Sequence, residues 1–197
     1  MAVSLRQEKL YTREEYLTLE ESAAFKSEYY KGVIYAMAGG TYNHEMICGN
    51  VYSALRLAAN AKSCIAFTSN MKLLIEAHGL YTYPDSMLIC GKPKFEQGRT
   101  DTVLNPLVLV EVLSKSTRNY DHGQKFEFYQ AIPTFQEYLL IDQDRIYVEH
   151  YHKVKDSTWV LTILREPEAR LVLQSIDLEI SVRQLYENVD WLATTQA

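Results

Sequence analysis

The chain has 197 residues, with 20 Lys and Arg against 25 Asp and Glu and a formal charge of -5. That length suits one domain, residues 1–197, with a substantial core, and the charge excludes a generally basic protein that coats nucleic acid, although a local basic cleft stays open. Three cysteines, Cys48, Cys64 and Cys90, fit neither a secreted disulfide framework nor a CxxC zinc site and are expected to be small buried thiols in a reducing compartment.

Residues 1–8 carry no apolar signal-peptide core, and no apolar run in the sequence is long enough to span a bilayer. A soluble, cytoplasmic protein with no membrane partner is expected. Thr12 and Glu15 match a capping box opening a first helix that runs to about Glu21. Val33 to Ala38 reads as a strand, half of an N-terminal hairpin, stopped by Gly39-Gly40. Asn43 caps the strongest helix, in which Ile47, Val51, Ala54, Leu55 and Ala58 recur at the spacing of a buried stripe as far as about Asn60. His44, in its first turn, reads more simply as a surface residue than as a functional one.

Cys64 to Thr68 and Met71 to Glu76 read as strands, and Ala77-His78-Gly79 turns the chain into a third, Tyr81 to Cys90, with Asp85 at its mouth. Gly91 to Asn105 is a long polar loop. Asn105 to Ser114 follows, an almost wholly apolar strand buried on both faces, whose alternation sets Leu107, Leu109, Glu111 and Leu113 on one side. A turn from Ser114 leads to a helix through Lys125, Phe126, Phe128 and Tyr129 that Pro133 ends, and then to a strand over Gln136–Asp142. Strand, helix, strand implies a crossover between parallel neighbours, hence an α/β fold with a mixed sheet. Arg145–His152 and Thr158–Leu164 form a C-terminal hairpin around Lys155-Asp156-Ser157, and Ser175–Val182 with a short helix near Leu185 closes the chain. No GxxxxGK[ST] or GxGxxG phosphate loop occurs.

A carboxylate inside an apolar strand costs several kcal/mol or more unless a cation, donors or a proton compensates. Glu111 therefore asks for a partner, and Asp85, at the mouth of a second apolar strand, could share one cation with it. Two carboxylates are what a hard cation such as Mg2+ takes from a protein when substrate phosphate completes its shell, and a nearby ammonium, Lys125, would neutralise charge growing on that phosphate.

This combination resembles the PD-(D/E)XK restriction-endonuclease-like superfamily. More narrowly, it resembles the Uma family of restriction endonucleases, long catalogued as a domain of unknown function. The likeness rests on Glu28-Tyr29-Tyr30-Lys31-Gly32, Met37-Ala38-Gly39-Gly40 with His44, Pro84-Asp85, Glu111 to Thr117, Lys125 with Tyr129, and Glu137-Tyr138-Leu139-Leu140. It implies a restriction-endonuclease-like mixed sheet flanked by helices, with extra N- and C-terminal hairpins, and an α+β layering. It further implies Asp85 and Glu111 as ligands of Mg2+ or Mn2+, Lys125 as the catalytic lysine, Glu28 as an accessory acid, and DNA as substrate. One departure matters: the superfamily's lysine stands two residues after the acid, where this chain has Leu113, whereas the Uma pattern takes a lysine from the following helix.

Plainer readings stand beside these. Lys125 pairs with Asp121 one turn earlier, worth about 0.3 to 0.5 kcal/mol. Glu28 is an exposed acid, Asp85 a turn residue after Pro84, Tyr129 a packing residue, and Ser114 and Ser116 bond the turn's backbone. At the level of function, the leading expectation is a metal-dependent endonuclease acting on DNA. The alternatives are an inactive nuclease-fold module that binds nucleic acid or a protein, and an acid and base pair acting on a carbohydrate. A homodimer through the C-terminal hairpin is also an expectation.

Overall fold

The computed structural model describes residues 9–60 and 62–191; the N-terminal stretch expected to lack a signal core lies outside them. Its elements run α1 (Arg13–Ser22), β1 (Ser27–Tyr30), β2 (Val33–Ala36), α2 (Tyr42–Asn60), β3 (Cys64–Thr68), β4 (Lys72–Ile75), β5 (Leu80–Thr82), β6 (Ser86–Cys90), β7 (Thr102–Val103) and β8 (Val108–Leu113). After β8 come α3 (Arg118–Tyr120), a π-helical turn (Asp121–Lys125) and α4 (Phe126–Tyr129). Then follow β9 (Glu137–Asp142), β10 (Val148–Lys155), β11 (Thr158–Leu164), β12 (Arg170–Leu173), β13 (Leu178–Ser181) and α5 (Val182–Leu185).

The main sheet has strand order β11-β10-β9-β8-β6-β3, with β8 and β9 parallel at its centre and antiparallel pairs outward. The helical segment between β8 and β9 is thus the crossover that the strand, helix, strand order requires. Alternation along β8 holds. Val108, Val110 and Val112 pack with Ile47, Val51 and Leu55 of α2, whereas Leu109 and Leu113 pack with Phe128 and Tyr129 of α4 and with the second sheet. That sheet has the order β2-β1-β5-β4-β7, and a small β12-β13 pair with α5 joins the α2 layer. The class is α+β, mixed sheets flanked by helices.

Three differences from the sequence reading have clear causes. The stretch from Tyr81 to Cys90 is split into β5 and β6, which belong to different sheets, with Tyr83, Pro84 and Asp85 between them. Proline has no N–H to give a ladder, so the chain changes sheet there. Helix α2 begins at Tyr42, and the Thr41 hydroxyl accepts from His44 N–H at 3.2 Å, so Thr41 supplies the cap expected of Asn43. Asn43 is buried, bonding the backbone of Asp190 through both ends of its amide. Finally, Cys64 and Cys90 face each other across the β3-β6 pair and are joined by a disulfide, which corrects the reading of three separate thiols. Cys48 is the free one.

Among the described residues no helix is long and apolar enough to cross a membrane. Leu139, fully buried on central β9, lies between its neighbours Val110 on β8 and His150 on β10. Leu139→Ala should lower unfolding free energy by about 2 to 5 kcal/mol, measured as a drop in urea midpoint at unchanged slope.

Candidate active site

The register of β6 against β8 places the first acid. Ser86 is paired with Val110, so Asp85, one residue before β6, lies abreast of Glu111 on the same face. Beyond the last rung the ladder is continued by a side chain: Asp85 Oδ2 accepts from the Val112 backbone N–H at 2.7 Å. Glu111 is 4% exposed, set among leucines. Its Oε1 accepts from the Tyr129 hydroxyl at 2.6 Å and lies 2.9 Å from Lys125 Nζ.

Lys125 reaches Glu111 from the π turn. Such a turn carries one residue more per hydrogen-bonded ring than an α-helix and occurs often where a side chain must be re-aimed at a functional site. Within it Asp121 and Lys125 are both buried, 3.5 Å apart. Lys125 Nζ also lies 3.5 Å from Glu28 Oε1. Glu28 is delivered by the second sheet: Tyr29 pairs with Tyr81, so Glu28 falls beside Thr82, whose hydroxyl donates to its carboxylate. The Arg118 guanidinium holds the start of this helical segment to the end of β9 by two bonds to Asp142, at 2.7 and 3.0 Å.

On the other side of Asp85 stands the first turn of α2. His44 Nε2 lies 3.3 Å from Asp85 Oδ2, and His44 Nδ1 lies 3.5 Å from Cys48 Sγ. The backbone of Gly40 comes close enough that a Cβ there would sit 2.8 Å from His44 Nδ1, so glycine makes room for the ring. Asp85, Glu111, Lys125, Glu28 and His44 all line one cleft of about 1170 Å3.

The electrostatics follow from burial. Three carboxylates, those of Glu111, Glu28 and Asp121, surround one ammonium. Burial pushes the Glu111 carboxyl up to about 8 against the pull of Lys125, with Asp121 and Asp85 adding to the rise. Burial likewise raises Asp121. For Lys125 burial works against the charge, yet Glu111, Glu28 and Asp121 together lift it well above the usual range, so it stays an ammonium. His44 is raised too: burial lowers it, but the Asp85 carboxylate outweighs that. The cluster therefore carries more negative than positive charge, and Glu111 is where a proton is retained.

The structure thus brings together the four residues singled out in the sequence, Asp85, Glu111, Lys125 and Glu28. Glu28 is turned inward and so is not the exposed acid of the plainer reading. Asp85 is a ladder acceptor rather than a turn residue. Lys125 does pair with Asp121, but only as one of three acids. Tyr129 packs in the core and also holds Glu111. Ser114 Oγ bonds within its turn to Ser116 and Thr117, as expected. His44, expected at the surface, is half-buried against Asp85, and a His and a Cys four residues apart on one helix face are the signal the sequence carries.

These features define an α+β protein of the nuclease fold. The profile of the Uma2 family, described as "Putative restriction endonuclease", matches residues 13–183. Two proteins of Synechocystis sp. are similar: uncharacterized protein sll1609, 43% identical over 83% of this chain and 92% of its own length, and uncharacterized protein slr1290, 35% identical over 89% and 91%. The crystal structure of "a putative nuclease belonging to DUF820" from Anabaena variabilis superposes with a TM-score of 0.73 at 20% identity, covering 92% of this chain and 99% of that one. The chain belongs to the Uma2 family.

The raised pKa of Glu111 has a measurable sign. The folded protein holds its proton up to about pH 8, while the unfolded chain releases it near the ordinary value of 4.5. Without divalent metal, this group's contribution to stability is complete below about pH 4.5 and is lost as the pH rises toward 8. Glu111→Gln should remove that dependence, so thermal scans should show the variant gaining on the parent protein as pH rises through this window.

Proposed function

We propose that this chain is a divalent-metal-dependent endonuclease hydrolysing phosphodiester bonds in DNA. The observation that carries the reading is the placement of Asp85 and Glu111 abreast on adjoining strands, facing a cleft, with the buried ammonium of Lys125 against the second acid. The donors fit a hard cation. Both are carboxylates, and their recorded contacts fall on Asp85 Oδ2 and Glu111 Oε1. Among the described residues, no side-chain hydrogen bond falls on Asp85 Oδ1 or Glu111 Oε2. Asp85 and Glu111 would hold Mg2+ or Mn2+, which when bound polarises the scissile phosphate.

The chain's own groups do the rest. Lys125 presents a fixed positive charge to the cleft, where it can neutralise charge growing on the phosphate without reorganising. The Tyr129 hydroxyl and the Val112 amide fix the orientation of the two acids, and His44 braces Asp85 from the far side. Glu28 and Asp121 keep the ammonium charged. The cleft exceeds the roughly 300 to 1,000 Å3 usual for small-ligand pockets, which suits a polymer.

A second reading, an inactive module that binds nucleic acid or protein on the same scaffold, draws on one observation: Lys125 is already engaged by three acids. Plasmid cleavage separates the two. The nuclease reading expects nicking or linearisation with Mg2+ or Mn2+, stopped by chelator, and falling about 10²- to 10³-fold in Asp85→Asn and in Glu111→Gln. Mg2+ should also raise the melting temperature of the parent protein and not that of Asp85→Asn. Cleavage undiminished in Glu111→Gln, or binding that persists in chelator with no cleavage under any metal, overturns it.

A further inference from the structure

The two-acid arrangement accounts for one side of Asp85 and leaves the other unexplained. There α2 presents His44 and Cys48, four residues apart and so on one face of the helix. The imidazole lies between the thiol and the carboxylate, 3.5 Å from Cys48 Sγ through Nδ1 and 3.3 Å from Asp85 Oδ2 through Nε2. One ligand atom from each of the three residues lies within 4.8 Å of the others. A tetrahedral zinc ion with bonds of about 2.0 to 2.3 Å spaces its ligand atoms roughly 3.3 to 3.7 Å apart and takes one ring nitrogen only, so the imidazole has to turn and the thiol and carboxylate close in from within 4.8 Å for the three to share one centre.

The donor chemistry is the opposite of that of the acid pair. Thiolate and imidazole select borderline-soft cations, whereas two carboxylates suit Mg2+. Cys48 is available for this, since Cys64 and Cys90 are tied to each other. All three side chains are partly buried, which limits competing water without closing the approach.

We propose that His44, Cys48 and Asp85 form a binding site for a thiophilic divalent cation of the Zn2+ type. As the sulfur–metal bond forms, the Cys48 thiol releases its proton to solvent, and the ring nitrogen and one Asp85 oxygen complete a three-ligand set with a fourth position open to the cleft. Asp85 is common to this set and to the hard-cation pair. Zn2+ bound here therefore takes Asp85 from Glu111 and suppresses Mg2+-dependent cleavage. That regulatory consequence rests on the nuclease reading; the binding itself does not.

The test uses Co2+ and Zn2+ with the whole chain, in the absence of thiol reductants. One equivalent of Co2+ should give thiolate-to-metal charge-transfer absorption in the near ultraviolet, abolished by one equivalent of Zn2+. Cys48→Ser should lack that absorption and bind Zn2+ at least about tenfold more weakly in competition with a chromophoric chelator. Cys48→Ala repeats the measurement should serine disturb the packing. Cys48→Ser should also keep its Mg2+-dependent cleavage and lose the inhibition by Zn2+. Unchanged Zn2+ affinity in both Cys48 variants, or a cobalt spectrum without the thiolate band, overturns the site. A zinc site that behaves as expected in a protein that cleaves nothing supports the site and removes the nuclease reading alone.

Discussion

One buried carboxyl group organises this molecule. Glu111 lies in the middle of a strand whose other residues are aliphatic, at a depth where an uncompensated carboxylate costs several kcal/mol. Each neighbouring element answers part of that cost. The crossover segment contributes the ammonium of Lys125 and the hydroxyl of Tyr129, and the second sheet brings Glu28 to the same ammonium. The compensation is incomplete by design of the cluster, because the acids outnumber the cation. What is left over is a site that favours either a proton or a further positive ion.

The fold shows how a helical segment, and not β8 itself, brings an amine to Glu111. Two residues after Glu111 on the same face stands Leu113, fully buried with Phe128, Tyr129 and Leu140. A lysine there would have to enter the apolar layer. The π turn offers another way in, holding Lys125 over the end of the strand while α4 returns Phe128 and Tyr129 to the core. The charge reaches the acid from above the layer, and the layer stays apolar.

Much of this was legible in the sequence because it is local. Alternation along Leu107 to Leu113 gave the facing of Glu111, the three-and-four spacing gave α2, and Pro133 gave the end of the crossover helix. What the sequence hid depends on pairings between distant segments. Glu28 is turned inward by the register of Tyr29 with Tyr81, and the disulfide follows from the pairing of Cys64 with Cys90, neither of which local periodicity reports. His44 meets Asp85 only because β6 begins where it does, with Asp85 at the entrance rather than within a turn. The polar stretch from residue 91 to 105 also concealed β7, whose two residues pair with β4.

Asp85 serves two structures at once. Its carboxylate is the last acceptor of the β6-β8 ladder and one wall of the cleft. A side chain locked to a backbone amide has little rotamer freedom left to surrender when a ligand arrives, so the site is preorganised by the sheet itself. The same economy narrows what can stand at this position. Asparagine would preserve the acceptor and discard the charge, while glutamate would preserve the charge on an arm one methylene too long for the amide it must meet. Only aspartate satisfies the rung and the cleft together.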